Sequence, residues 1–444
     1  MKKIKAVLNH LKNPPRHLVV AASAWIARII TALIGIISVR TLLLYLGEER
    51  YAAYAIVYSL IGWFALCDLG IGFSLQNFIS ECRARNESYT RYLKSALQVI
   101  CAAFIVSCAA LLCFSGVIQD KLLVNYESVK NSNIILILGF IFILTAFANV
   151  VYRVYYALQK GYISNIFPAL ANTVSMIAIV LFNRYYPVKG NVLAALLIFS
   201  VPQLTIAAIP FIKIFRQTFA GIFNINYPDI KELITRSLKF SGFAVMAAAT
   251  LGIDYIIMSQ TINAASIAEY NILNKLFVLL LSIHSAVLMA AWPVFSELNV
   301  NRQFLVIKKM IVKYIIFGFF IITAGAALFY IFSDNIIKIL APNTNIAPST
   351  VIFMLFGIYS FLIIWTSTFS VFLQSINVLK IFWIFVPIQA LISITAQYFL
   401  SIKYGVHGIL LGLIASFIFT TFIALPYKTY KIFKQTIIND SGKL

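Results

Sequence analysis

The chain has 444 residues, of which 61% are hydrophobic and only 11% are charged, and its mean hydropathy is +0.92. Soluble domains are usually about 25% charged, so the composition excludes a soluble protein of two or three domains. The net charge of +21 would suit nucleic acid, but the basic residues cluster at the ends of apolar segments, and we expect no nucleic-acid partner.

Twelve apolar segments follow one another along the chain, each long enough to cross a bilayer. The sequence therefore predicts an all-α integral membrane protein. The predicted spans are about 18–45, 51–79, 95–117, 132–157, 162–183, 191–212, 240–260, 264–292, 312–333, 350–376, 381–402 and 406–427. The longest predicted stretch outside the membrane, about Lys213 to Lys239, is short and amphipathic. An even number of spans places both termini on one side.

The distribution of basic residues predicts which side that is. Of the 35 Lys and Arg, 24 fall in segments on the side of the N-terminus, 7 fall on the opposite side, and four lie inside the spans. Cytoplasmic segments carry the excess of Lys and Arg in membrane proteins. We therefore predict that both termini are cytoplasmic and that the basic segments contact anionic membrane lipids.

Short patterns recur in the two halves of the chain at offsets of about 216 to 218 residues. They include Tyr54 and Glu81 against Tyr270 and Glu297, and Lys213-Ile-Phe-Arg216 against Lys431-Ile-Phe-Lys434. The recurrence predicts two six-helix lobes, 1–220 and 221–444, related by a parallel repeat about an axis along the membrane normal. A substrate would then bind between the lobes.

Seven charged side chains remain inside the predicted spans. They are Arg28, Arg40, Arg153, Lys275, Asp68, Asp254 and Glu269. A charge costs about 2.5–3.5 kcal/mol at the centre of a membrane helix, so we expect these groups to face a partner or a polar interior. Arg28 and Lys275 each lie on a helical stripe of small and polar residues, which favours a polar cavity.

The same charges also have structural interpretations. Arg28 and Asp68 lie at similar predicted depth and would neutralise each other as an ion pair, and Asp254 and Lys275 would do the same. Charges nearer the span ends can extend to the membrane surface instead. That group comprises Arg40, Arg153 and Glu269, and Glu81 and Glu297 have the positions of helix-end residues. His284 stands alone on an apolar helix and is expected to be packed and hydrogen-bonded.

Several catalytic signatures are absent from the sequence. It contains no Gly-x-x-x-x-Gly-Lys-Ser/Thr loop for ATP, no Asp-x-Asp pair and no His/Cys cluster with metal-ligand spacing. The five cysteines form no Cys-x-x-Cys pair, and we expect them to be small apolar packers. The chain is therefore predicted to be a carrier without a cofactor or metal, and not an enzyme.

Several motifs together resemble a known family, the O-antigen flippases of the Wzx type. They are Leu46-Gly-Glu-Glu-Arg-Tyr51, Asp68-Leu-Gly-Ile-Gly72, Gln76-Asn-Phe-Ile-Ser-Glu-Cys-Arg83, Asp254-Tyr-Ile-Ile-Met-Ser-Gln260, Trp292-Pro293, Ser296-Glu-Leu298 and Leu373-Gln-Ser375. The resemblance runs from about Leu18 to Tyr427. This family is a branch of the superfamily that also contains multidrug/cation antiporters and the lipid II flippase.

The resemblance implies a protein of the bacterial inner membrane that turns over an oligosaccharide carried on undecaprenyl pyrophosphate, from the cytoplasmic to the periplasmic face. It implies alternating access driven by a gradient of H⁺ or Na⁺, and the O-antigen polymerase and chain-length regulator as partners. Two alternatives stay open: an ion-coupled exporter of amphipathic cations, and the polymerase itself. Four basic against three acidic residues inside the spans disfavour the exporter, and the polymerase should have a large outer loop.

The candidate site residues divide by charge. We predict that the substrate pyrophosphate or sugar binds Arg28, Lys275, Arg40 and Arg153, and that the coupling ion binds Asp68, Asp254, Glu81 or Glu297. The resemblance supports four of these, because Arg28, Asp68, Asp254 and Lys275 fall where family members carry charges in cavity-lining helices.

Overall fold

A computed structural model of the chain describes residues 16–126, 133–185, 190–219, 224–341, 349–376 and 378–441. Helices make up nearly all of these ranges, and no strand occurs within them. Twelve helical segments in the same ranges are long and apolar enough to cross a membrane. The prediction of an all-α membrane protein with about twelve spans is thus confirmed.

The chain divides into two compact units, one running to Val245 and the other beginning at Met246. The helices of the first unit are α1 (Arg16–Leu46), α2 (Glu48–Ser59), α3 (Ile61–Phe64), α4 (Ile71–Ala84), α5 (Thr90–Leu122), α6 (Ile134–Ala157), α7 (Gly161–Tyr185) and α8 (Val192–Phe219). A 3₁₀ turn, Ala65–Asp68, follows α3. Helix α9 (Tyr227–Leu251) begins in the first unit and ends in the second.

The second unit contains eight further helices within its described part. They are α10 (Asp254–Thr261), α11 (Ala264–Val300), α12 (Phe304–Ile331), α13 (Ser333–Leu340), α14 (Thr350–Ser375), α15 (Lys380–Tyr404), α16 (Val406–Ile418) and α17 (Thr421–Ser441). Its interior includes His284, which is 2% exposed and lies 3.5 Å from the Thr368 hydroxyl. Gly318 makes room for it, since a Cβ there would lie 2.7 Å from the imidazole ring. The packed, hydrogen-bonded role predicted for His284 is confirmed.

The predicted span 51–79 is wrong in one respect, because the helix breaks inside it. Leu69 and Gly70 have left-handed φ values of 50° and 72°, and α4 begins immediately after them. The break is stabilised by Asp68, whose Oδ1 accepts a hydrogen bond from the Gly70 amide at 2.8 Å. A Cβ on Gly70 would lie 2.6 Å from the Ser237 carbonyl oxygen of α9. Position 70 therefore requires glycine for two reasons: its backbone is left-handed, and a side chain would collide with α9.

The predicted seventh span, 240–260, starts too late. Helix α9 begins at Tyr227, and its first turns are amphipathic: Leu233 is fully buried and, with Ile230, packs in the cluster that contains Phe215 of α8. Much of the stretch expected to lie outside the membrane, Lys213 to Lys239, is thus helical and packed on the first unit. The chain leaves the helix at Gly252 and Ile253 before α10 begins.

One pair of segments agrees closely with the predicted repeat. The run α2–α4 extends from Glu48 to Ala84, and α11 extends from Ala264 to Val300, so both ends are offset by 216 residues. The break at Leu69 has no counterpart, because α11 is continuous. The duplication into six-helix lobes, with a boundary after residue 220, stays a prediction.

Candidate functional site

Two of the four predicted substrate-binding cations lie near the same tyrosine in the first unit. Arg28 on α1 and Arg153 on α6 are both half-buried, and both lie within electrostatic range of the Tyr156 hydroxyl. Arg153 and Tyr156 share a face of α6 because they are three residues apart. The Arg153 guanidinium lies 3.9 Å from the centroid of the Phe73 ring, a cation–π contact with α4. We call Arg28, Arg153 and Tyr156 the arginine cluster.

A chain of neutral hydrogen bonds adjoins the arginine cluster and joins three helices. The Tyr156 hydroxyl donates to Asn165 Oδ1 on α7 at 2.7 Å, and Asn165 Nδ2 donates to Ser23 Oγ on α1 at 3.1 Å. Sequence reasoning missed all three residues. Single Tyr, Asn and Ser residues near helix ends are too common to indicate a site, and only the packing of α1, α6 and α7 brings these together.

Asp68 lies beside Arg153, not beside Arg28. Its carboxylate accepts a hydrogen bond from the Gly70 amide just before α4, and the helix dipole at the start of α4 favours a negative charge there. A Cβ placed on Gly72 would lie 3.0 Å from Arg153 Cγ and 3.4 Å from Asp68 Oδ2. The ion pair of Arg28 with Asp68 suggested by their predicted depth is therefore replaced by the proximity of Arg153 and Asp68.

Two other predicted site residues lie away from the arginine cluster. Arg40 is exposed and lies twelve residues beyond Arg28 on α1, about 18 Å along the helix axis. Glu81 Oε1 forms an ion pair of 2.8 Å with Arg236 of α9. The Arg236 guanidinium also lies 4.1 Å from the centroid of the Phe78 ring, so Glu81 belongs to a contact that fastens α4 to α9.

A second polar cluster lies in the second unit, where α10 meets α11. Asp254, the first residue of α10, is 7% exposed. The Tyr270 hydroxyl donates to Asp254 Oδ2 at 2.7 Å, and the Tyr255 amide donates to Oδ1 at 2.9 Å. Asn271 Nδ2 in turn donates to the Tyr255 hydroxyl at 2.5 Å. These hydrogen bonds stabilise a carboxylate that would otherwise be costly to bury.

Helix α11 also carries the remaining predicted charges of the second unit. Lys275 is half-buried and lies one turn beyond Asn271, on the same face of the helix. Glu269 is half-buried as well. Glu297 lies in the same helix, but its side chain is outside the described residues. Across the described ranges, no group of three His, Cys, Asp or Glu side chains is arranged to hold a metal ion.

The geometry thus provides a cationic cluster in one unit and a buried carboxylate beside an ammonium-bearing helix face in the other. Residues 21–299, more than half of the chain, match the family described as polysaccharide biosynthesis protein. The chain belongs to this family. Both clusters fall inside the range that matches the polysaccharide biosynthesis family, which includes Arg28, Asp68, Arg153, Asp254 and Lys275.

Relatives extend the similarity beyond the range of the family match. A protein of Salmonella typhi named as an O-antigen transporter is 37% identical over 94% of this chain and 97% of its own length. A protein of Yersinia pseudotuberculosis named as an O-antigen export protein is 36% identical over 95% of this chain and 97% of its own length.

Two solved structures share the fold of this family member. An inward-facing multidrug transporter of the MATE family, from the MOP superfamily, superposes with a TM-score of 0.67, covering 93% of this chain and 99% of its own. The lipid II flippase MurJ in an inward closed conformation also gives 0.67, covering 95% and 91%. Sequence identity is 13% in both cases, so these similarities concern the fold alone.

Proposed function

We propose that the chain is a flippase that moves an oligosaccharide linked to undecaprenyl pyrophosphate from the cytoplasmic to the periplasmic face of the bacterial inner membrane. The observation that carries this proposal is the 37% identity, over 94% of the chain, to a protein named as an O-antigen transporter. The shared fold is compatible with it but does not choose between flippase and cation exporter, since the two kinds of neighbour superpose equally well.

The arginine cluster is the proposed binding site for the pyrophosphate. A doubly anionic head group leaves water only if positive charge and donors replace its hydration, and guanidinium groups supply both as charge-assisted hydrogen bonds. Asp68 lowers the local charge, and the Phe73 ring positions Arg153. Arg28 lies in the N-terminal half of α1 and Arg153 lies near the C-terminal end of α6. With a cytoplasmic N-terminus, both ends face the side on which the substrate is built.

Tyr156 and Asn165 are proposed to contact the sugar next to the pyrophosphate. The Tyr156 side chain is 38% exposed and presents an aromatic face, while Asn165 offers amide groups that pair with hydroxyls. The role predicted for Lys275 in binding the substrate stays a prediction. The roles predicted for Arg40, Glu81 and Glu297 stay predictions.

Asp254 is the proposed site of ion coupling. It is buried and hydrogen-bonded by a phenol, so loading and releasing a proton or Na⁺ would change the charge at the junction of α10 and α11. Asp254 directly follows the break between α9 and α10, and interrupted membrane helices of this kind often form the ion sites of transporters. The polymerase and the chain-length regulator are proposed as partners on the resemblance alone.

A deletion strain tests the proposal. Without the protein, single lipid-linked O-units should accumulate on the cytoplasmic face and surface O-antigen should disappear. Normal surface O-antigen in the deletion strain would reject the flippase, and accumulation on the periplasmic face would favour a polymerase. In complementation, Arg28→Ala should fail to restore export. Arg184→Ala should restore it, because Arg184 is exposed and lies at the C-terminal end of α7, whereas Asn165 beside the arginine cluster lies near the N-terminal end.

A further inference from the structure

The first turns of α12 and the C-terminal half of α17 form a basic corner in the second unit. Phe304 at the start of α12 packs edge to face against Phe433 of α17, with ring centroids 6.1 Å apart. Phe433 also packs against Phe372 of α14 with ring centroids 5.6 Å apart, which fixes this part of α17. Four exposed lysines, which we call the lysine corner, lie on these two helical segments: Lys308, Lys309, Lys431 and Lys434.

Acidic residues are sparse in the sequence around the lysine corner. The sequence has no Asp or Glu from 298 to 333 or from 335 to 439. Within the described ranges, the four ammonium groups have no ion pair and no hydrogen bond to the protein. In the part of the chain that the structure describes, these four exposed positive charges therefore have no protein partner.

The predicted counterpart of this corner in the first unit is built differently. There α9 covers the end of α8, so that Phe215, which matches Phe433 in the repeat, is fully buried beside Leu233. The covering segment and its neighbourhood are also acidic: Arg91 at the start of α5 lies within electrostatic range of Asp229 and Glu87. Acidic side chains thus lie near Arg91 in the first unit, whereas no Asp or Glu follows Lys308 and Lys309 until Asp334.

Aromatic and apolar side chains place the lysine corner at the boundary between lipid tails and head groups. Tyr427 and Tyr430 on α17 are 65% and 62% exposed, and Tyr427 lies on one helical stripe with Lys431 and Lys434. Exposed tyrosines are typical of the membrane interface. On α12, Leu305 is 73% exposed and lies on the same face as Lys309, which puts an apolar, lipid-facing surface beside the charge.

We propose that the lysine corner binds the head group of an anionic phospholipid in the cytoplasmic leaflet. Ammonium groups bind phosphate as point charges, and a lysine near an anionic membrane surface strengthens binding about fivefold. The proposal is independent of the proposed transport function, since it uses none of the residues of the arginine cluster or of the Asp254 cluster. It does use the predicted orientation of the chain.

Native mass spectrometry of the purified full chain, titrated with phosphatidylglycerol or with phosphatidylethanolamine, tests this. The variant Lys431→Gln/Lys434→Gln should bind phosphatidylglycerol at least about fivefold more weakly than wild type. The matched control Lys213→Gln/Arg216→Gln removes two charges from the repeat counterpart in the first unit and should change binding less than about twofold. Phosphatidylethanolamine binding should be unaffected in both.

The charge-retaining variant Lys431→Arg/Lys434→Arg should keep phosphatidylglycerol binding, which separates loss of charge from damage to α17. Raising the ionic strength should weaken binding by wild type, because exposed charges are screened. Equal losses in the two glutamine variants would show a general charge effect and overturn the proposal, as would no loss in either. If an undecaprenyl pyrophosphate lipid displaces phosphatidylglycerol and a neutral lipid does not, the lysine corner binds the transported substrate, and the proposal of a phospholipid site is overturned.

Discussion

Asp68 and Arg153 meet at the α-carbon of Gly72, where any larger residue would contact both side chains. Asp68 accepts a hydrogen bond from the Gly70 amide just before α4, and the Arg153 guanidinium lies over the ring of Phe73 on α4. The helix break at Leu69 and Gly70 therefore sets the position of Asp68 beside the arginine cluster. The same break brings the backbone of Gly70 against the Ser237 carbonyl of α9.

The first prediction separates charge compensation from substrate binding at this pair. In Asp68→Asn/Arg153→Gln, the Asn amide oxygen can still accept from the Gly70 amide, and no charge is stranded. We expect normal insertion but at least about tenfold less export, because a charge-assisted hydrogen bond to phosphate is worth about 1.5–3 kcal/mol. Surface O-antigen at matched protein levels is the measurement.

Arg153→Lys should keep partial export in the same assay, since the positive charge survives while the planar fork is lost. If the double variant exports like wild type, Arg153 only neutralises Asp68 and the pyrophosphate binds elsewhere. Arg28→Lys and Arg28→Gln, which leave the Asp68–Arg153 pair intact, then show whether Arg28 binds the pyrophosphate by itself.

The second prediction concerns the helix break. Gly70→Ala should lower the level of inserted protein and its unfolding midpoint, because a left-handed residue other than Gly costs about 1–2 kcal/mol and the new Cβ overlaps the Ser237 carbonyl of α9. Gly116→Ala is the control: nothing lies within 4 Å of a Cβ at that position of α5. Thermal unfolding followed by size-exclusion chromatography should separate the two variants, and equal midpoints would contradict the break as a packing requirement.

Hydropathy suffices to predict the number of membrane spans and the position of most of them, because a membrane helix must be apolar over most of its length. The break after Asp68 was not predicted, although Asp-x-Gly is a turn signal, because its apolar flanks also suit an uninterrupted helix. The break coincides with the close packing of the Ser237 backbone of α9 against Gly70, a contact between distant parts of the sequence that local patterns do not reveal.

The partner of Asp68 could not be predicted for a related reason. Helical periodicity tells which face of α6 carries Arg153 but not which helix that face meets. Its position near the span end suggested extension toward the membrane surface, whereas the structure places it over Phe73. The hydrogen bond between Tyr270 and Asp254 could not be predicted for the same reason, because it joins two different helices, α11 and α10.

The third prediction tests the orientation of the chain. A periplasm-active reporter fused after Lys434 should be silent, and one fused near Tyr126, between α5 and α6, should be active. The expectation rests on the excess of Lys and Arg on one side of the twelve spans. The opposite pattern would place the arginine cluster near the periplasmic side, where it could not load a substrate built in the cytoplasm.

The fourth prediction compares two tyrosines that occupy matching positions in the predicted repeat. Tyr270 is 1% exposed and donates to the buried Asp254 carboxylate. Tyr54 is 5% exposed and stacks on Tyr58, but among the described residues its hydroxyl makes no hydrogen bond. Tyr270→Phe leaves a buried acceptor without its donor, at a cost of about 1–3 kcal/mol, whereas Tyr54→Phe removes no hydrogen bond. Only Tyr270→Phe should lower the unfolding midpoint.

The same pair tests the coupling role of Asp254. In vesicles with an imposed pH or Na⁺ gradient, Tyr270→Phe should shift the dependence of transport on the coupling ion, because the phenol stabilises the ionised carboxylate. Asp254→Asn should remove that dependence while the protein still inserts, and Tyr54→Phe should behave as wild type. If Asp254→Asn transports with an unchanged response to the gradient, Asp254 serves only to fasten α10 to α11, and the coupling ion must bind another carboxylate, of which Glu269 is the half-buried candidate in the same helix as Tyr270.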